Sequence, residues 1–124
     1  MAVEMSTSIP VNIYRAEDRL MVAAVLPGLQ PSDIAVEVLP DQRLRMDAKL
    51  RGRLKDWKDV LHEEWQAGGG SREIALPSPV DSDVARATYE NGILVLVLPL
   101  TGVHRPGTIQ PISPSEAMDR DEPR

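Results

Sequence analysis

Few residues in this chain are of a type that does chemistry, and their spacing decides what they can do. His62-Glu63-Glu64 matches the opening of a zinc-hydrolase motif, in which two histidines one helical turn apart hold the metal and the glutamate activates water. The position of the second histidine is Gln66, and the other histidine, His104, lies far along the chain. The donor set is incomplete, so no metal is expected. Gly68-Gly69-Gly70-Ser71 has the glycines of a phosphate loop without the lysine that reaches the phosphates or a helix to follow, and reads better as a flexible tether. The carboxylate pairs Glu63/Glu64, Asp56/Asp59 and Asp81/Asp83 lie in loop-like sequence, where water solvates both members. Ser71, Ser78 and Ser82 lack the strand–turn–helix setting of an activated nucleophile. Cysteine is absent, which removes thiol nucleophiles, thiolate metal sites and disulfides, and is compatible with a reducing cytoplasm, the expected location. Neither an enzyme nor a cofactor is expected.

The totals narrow the choice further. The chain has 124 residues, the size of one domain with tails. Its net charge of −5 argues against nucleic acid as a partner. The charge is uneven: Arg43, Arg45, Lys49, Arg51, Arg53, Lys55 and Lys58 face only Asp47 and Asp56 between positions 43 and 58. A phosphate-binding patch, a solvated strand and loop, or contact with an acidic partner surface all fit that run, the last two better than the first. No apolar run has the length of a membrane span, and residues 1–25 lack the pattern of a signal peptide, so a membrane is not an expected partner.

The elements that must position these residues are short strands. Eleven prolines and eight glycines break the chain often, and with two Trp, two Tyr and no Phe the core has to be aliphatic. Val11–Ala16 and Leu20–Leu26 form a hairpin-like start around Glu17-Asp18. Ile34–Leu39 alternates up to Pro40. Arg43–Leu50 alternates most cleanly, with Leu44, Met46, Ala48 and Leu50 on one face. Ser71–Leu76 and Val84–Glu90 follow, and Asn91-Gly92 is a tight-hairpin dipeptide before the unbroken apolar run Ile93–Leu98. That run is read as a core strand, with its companions as the working surface. Residues 51–70 fit either a short helix (Leu54, Trp57, Leu61, Trp65) or a long loop with a strand at Val60–Glu64. The expected fold is all-β, an immunoglobulin-like antiparallel β-sandwich at residues 11–100, with a short N-terminal lead at 1–10 and an extended, flexible C-terminal tail at 101–124.

The ordered set of motifs resembles the small heat-shock protein (α-crystallin domain) family of bacterial type. Leu26-Pro27-Gly28-Leu29 with Ser32-Asp33-Ile34-Ala35-Val36 is similar to one family stretch, and Leu44-Arg45-Met46-Asp47-Ala48 to another. Arg72–Pro77 and Ala87–Pro99 are similar to its arginine-strand and Gly-Ile-Leu elements, so the resemblance covers about Val11 to Leu100. It implies ATP-independent holding of unfolding client proteins. It also implies a homodimer, in which a strand from loop 51–66 of one chain pairs with Val11–Arg15 of the other. The residues carried over to that interface are Val11, Ile13, Arg15, Trp57, Val60, Leu61, His62 and Glu64.

Three departures temper the expectation. Only ten residues precede Val11, with Met1, Ala2, Val3, Met5 and Ile9 as the apolar ones, where the family has a Phe-rich arm. Gly70 stands where the family often has Phe. The family tail docks an Ile-x-Ile or Ile-x-Val motif in a neighbour's groove, whereas this tail reads Ile109-Gln110-Pro111-Ile112. One extra residue turns the second isoleucine to the other face of a strand, but in a polyproline II segment residues three apart share a face. Docking through Ile109, Pro111 and Ile112 into a groove walled by Val36 and Val84 and an undocked tail both remain open. The expectation is a holdase working as a dimer or small oligomer. The alternative is a non-chaperoning interaction module like the CS-domain co-chaperones.

Overall fold

The computed structural model describes residues 9–49, 61, 62, 64 and 70–114. Eight strands form two antiparallel four-stranded sheets: β1 Val11–Arg15, β2 Arg19–Val25, β3 Ile34–Leu39, β4 Arg43–Ala48, β5 Gly70–Ala75, β6 Arg86–Glu90, β7 Ile93–Pro99 and β8 Gly107–Ile109. The first sheet runs β1-β2-β7-β6 and the second β5-β4-β3-β8, and they face each other as a sandwich.

The pleat sorts the side chains. Alternate residues Leu20, Val22 and Ala24 of β2, Leu94, Leu96 and Leu98 of β7, Val36 and Val38 of β3, and Leu44 and Met46 of β4 point inward and are buried. Tyr89 is the one buried aromatic among the described residues; its phenol donates to the Leu26 carbonyl and accepts from the Leu29 N–H at 3.2 Å. It thereby ties β6 to the loop that leaves β2. Asn91 (φ 53°) and Gly92 (φ 81°) both sit in the left-handed region, the geometry of a tight hairpin turn matched to strand twist. A Cβ on Gly92 would also meet the Pro27 Cα at 3.3 Å.

The structure differs from the sequence reading at three places. The sandwich reaches back to Ile9, which is only 3% exposed and whose carbonyl accepts a 2.6 Å hydrogen bond from Arg72 Nη1. Strand β6 starts at Arg86, because Asp81 accepts from the Asp83 N–H at 2.9 Å and winds Ser82–Val84 into a single 3-10 turn. The tail is not simply extended from 101: Gly107–Ile109 is a strand paired with β3.

Two substitutions test this frame by thermal or urea unfolding. Tyr89→Phe leaves a carbonyl and an N–H without their partner and should lower stability by about 1–3 kcal/mol. Gly92→Val forces a β-branched residue to positive φ and should cost about 1–3 kcal/mol. An unchanged midpoint in either variant would contradict the contact it removes.

Candidate functional site

Sites on this fold are surfaces of strands, and three are built by the register. The first is the outer edge of β1. Strand β1 pairs with β2 along one side, and no strand flanks its other side among the described residues. Ile13 and Arg15 are exposed and Val11 is half-buried, and Arg15 Nη2 donates to Ser78 Oγ at 2.9 Å. Beside this edge lies a hollow lined by Ile13, Tyr14, Leu20, Leu76 and Pro77. Of the other interface residues expected from sequence, Leu61, His62 and Glu64 are exposed, with His62 Nε2 2.8 Å from Glu64 Oε2. Trp57 and Val60 lie outside the described residues.

The second is the groove between β3 and β6. Its occupant is the chain's own tail. Ile109 lies opposite Val36 in the β3–β8 ladder and is buried with it in the core. Pro111 is fully buried. Ile112 then reaches the other sheet: its N–H donates to the Ala87 carbonyl at 3.0 Å, and its carbonyl accepts from the Tyr89 N–H at 2.9 Å. The extra residue between the isoleucines, with the proline, lets one segment bond to β3 and then to β6. Val84, the expected second wall, is instead 58% exposed on its 3-10 turn, and Ala85, Ala87 and Thr88 line the β6 side.

The third surface is one that sequence reasoning passed over. The outward rows of the first sheet are Tyr14, Met21, Val97 and Arg86; Asn12, Ala23, Val95 and Thr88; and Val25, Ile93 and Glu90. Tyr14, Val25 and Ile93 are exposed, while Met21, Ala23, Val95 and Val97 are half-buried. The opposite sheet shows charge instead: Glu37, Arg45 and Glu73 form one row, with Arg43 Nε 3.2 Å from Glu73 and Arg45 Nε 2.9 Å from Asp47. The signal was present in the apolar run at 93–98, which alternation would have broken with polar residues.

Among the described residues no group of three or more His, Cys, Asp or Glu could hold a metal. His104 commits both ring nitrogens to backbone: Nε2 is 2.8 Å from the Leu39 carbonyl and Nδ1 accepts from the Val80 N–H at 3.2 Å. Asp81 carries a turn and lies 3.7 Å from the Arg105 guanidinium. No described helix is long and apolar enough to cross a membrane.

The two groove positions give a paired test. Ile109→Ala should lower the unfolding free energy by about 2–5 kcal/mol, the range for emptying a buried aliphatic site. Val84→Ala should change it by less than about 0.5 kcal/mol. Equal effects in urea unfolding would overturn the docked position of Ile109.

Comparison with known proteins agrees with this architecture. The sequence profile of the Hsp20/alpha crystallin family matches residues 12–112. A probable 15 kDa heat shock protein of Leptospira interrogans is 32% identical over 93 residues, covering 72% of this chain and 67% of that protein. The 17.6 kDa class I heat shock protein 1 of Arabidopsis thaliana is 32% identical over 77 residues, and this chain spans about half of its length (50%). Among solved structures, the Del-C4 mutant of hsp14.1 from Sulfolobus solfatataricus P2 superposes with a TM-score of 0.66 at 25% identity, covering 79% of each chain. Heat shock protein 16.0 from Schizosaccharomyces pombe gives 0.62 at 25% identity, covering 76% of this chain and 87% of that one. With the family profile matched across both sheets and on to the tail, the chain belongs to the Hsp20/alpha crystallin family.

Proposed function

We propose that this protein is a holdase: it binds apolar segments of unfolding polypeptides, without nucleotide turnover, and limits their aggregation. The observation that carries the reading is the apolar outer face of the β1-β2-β7-β6 sheet. Contiguous apolar surface of that kind on a folded domain marks an interaction site. An unfolding chain offers the matching chemistry in exposed aliphatic and aromatic side chains of no fixed sequence. The polar rim of Asn12, Arg19, Arg86 and Glu90 keeps the patch soluble between encounters. Family membership supports the same reading, since the relatives carry heat-shock names.

The working unit in this proposal is a homodimer, alone or in a small oligomer. The outer edge of β1, with Val11, Ile13 and Arg15 along it and no described strand beside it, is suited to accept a strand from a second copy. Val60, Leu61, His62 and Glu64 of the second copy would supply that strand, with Trp57 beside it. Pairing there would cap backbone groups that otherwise invite uncontrolled association.

The test is light scattering of two unrelated proteins as they unfold on heating, with and without this chain and without nucleotide. Suppression of both at near-stoichiometric amounts is expected. Suppression of neither, or of one alone, would overturn the holdase reading in favour of a dedicated interaction module of the CS-domain kind. A variant combining Val25→Lys and Val95→Thr should suppress much less at the same ratio while its thermal midpoint moves little. Undiminished suppression by that variant would remove the sheet face from the proposal.

A further inference from the structure

We infer that the apolar outer face of the β1-β2-β7-β6 sheet is a contact surface for a second copy of this chain, packed face to face about a twofold axis that runs across the strands. This contact is distinct from the strand pairing proposed at the β1 edge, and it stands whether or not the face also holds clients.

The ladder register lays the face out in rows about 7 Å apart, the rise of two extended residues. The first row reads Tyr14, Met21, Val97 and Arg86, the middle row Asn12, Ala23, Val95 and Thr88, and the third Val25, Ile93 and Glu90. Pro10 continues the third row on the β1 side: its carbonyl accepts from the Val25 N–H at 3.1 Å, and it is exposed where its neighbour Ile9 is buried. The charges of these rows are Arg86 and Glu90, both exposed, at the two ends of β6. A twofold axis along the middle row exchanges the outer two. It lays Arg86 of each copy over Glu90 of the other, so symmetry makes two ion pairs. It lays Met21 and Val97 over Val25 and Ile93, and Tyr14 over Pro10. On the axis Ala23 and Val95 meet their own counterparts, and the short side chain of Ala23 lets the sheets approach to about 10 Å with their strands nearly aligned.

A twofold contact requires a patch that is its own complement, and like charges set over one another forbid it. The first sheet meets that requirement, because its two charges differ in sign and stand in the rows that the axis exchanges. The opposite sheet does not. Its middle row is Thr108, Glu37, Arg45 and Glu73, and the same axis would set each of those charges over its own copy. The apolar patch is four strands wide and about five residues long. At strand spacings of about 4.8 Å and a rise of about 3.3 Å per residue it covers roughly 300 Å² in projection, so a face-to-face pair buries on the order of 1,000 Å² in all. Contacts of that size exchange readily: copies pair as concentration rises and part on dilution. A second copy and a client exclude each other on this face.

The test uses the full-length chain. Sedimentation equilibrium from micromolar to submillimolar concentration is expected to show a reversible doubling of mass above whatever assembly persists at the lowest concentration. Arg86→Glu and Glu90→Arg each set like charges over one another and should weaken that step at least tenfold. The double variant Arg86→Glu/Glu90→Arg should restore it, with thermal midpoints confirming that all three variants fold. Weakening without rescue, or a mass series that none of the variants alters, would overturn the inference. The absence of cysteine allows a second, independent readout from single thiols. Ala23→Cys, on the axis, should couple to a second copy of itself through a short thiol–thiol cross-linker, increasingly with concentration. Glu37→Cys, exposed on the opposite sheet, should not. Absent coupling at position 23, as a face open to solvent or covered by other residues of its own chain would give, or equal coupling at both positions, would overturn the inference. No client is present in these measurements, so their outcome is separate from that of the scattering assay.

Discussion

Two open sheets packed face to face leave four edges, and each edge is a row of backbone donors and acceptors that must find partners or remain open to other chains. The organisation of this molecule follows from how those edges are dealt with. The second sheet extends itself at one end by recruiting β8 from the tail, and the same segment goes on to bond the outer side of β6 at Ala87 and Tyr89. One short stretch of chain thus covers strand edges belonging to both sheets. At the opposite side of the sandwich β1 and β5 are the terminal strands, and there the described residues offer less cover. Among the described residues, the difference between the two sides follows the path of the chain after β7.

The two outward faces are just as unequal. Core packing asks only for alternate residues, so each sheet is free to choose what it shows to water. The β5-β4-β3-β8 sheet shows cross-strand charge, with glutamates and arginines alternating in sign across the ladder. The β1-β2-β7-β6 sheet shows valine, isoleucine, methionine and tyrosine in rows that run from strand to strand. Exposed ion pairs of the first kind add little stability but discourage sticking. Rows of the second kind do the reverse. A fold that keeps both has a face that repels and a face that attracts, back to back.

Most of the strands were legible because each is bounded by turn chemistry and carries its own period. Asn91-Gly92 located the β6–β7 hairpin, and the alternation from Arg43 located β4. What escaped the pattern had physical reasons. Strand β8 has three residues between Pro106 and Gln110-Pro111, too short for a period of two to appear, and its only signal was an isolated pair of isoleucines in polar sequence. Val84 looked like the start of a strand, but the Asp81 side chain, by bonding the Asp83 backbone, turned the chain before the strand began. Ile9 looked like part of a free lead because nothing local announces the bond that Arg72 makes to it across the gap between sheets. The resemblance to the family supplied the expectation of a groove, but not which side chains would wall it.

The strap formed by residues 107–112 also has a consequence in time. Its partners on β3 lie some seventy residues earlier in the chain, whereas the hairpin at Asn91-Gly92 joins neighbours. Contacts between distant residues form late, since the loop they close costs entropy before any bond rewards it. The β2–β7 ladder joins residues equally far apart, so closing the first sheet and seating the strap are both late events, and the aliphatic cleft between β3 and β6 is filled only when the chain is nearly folded.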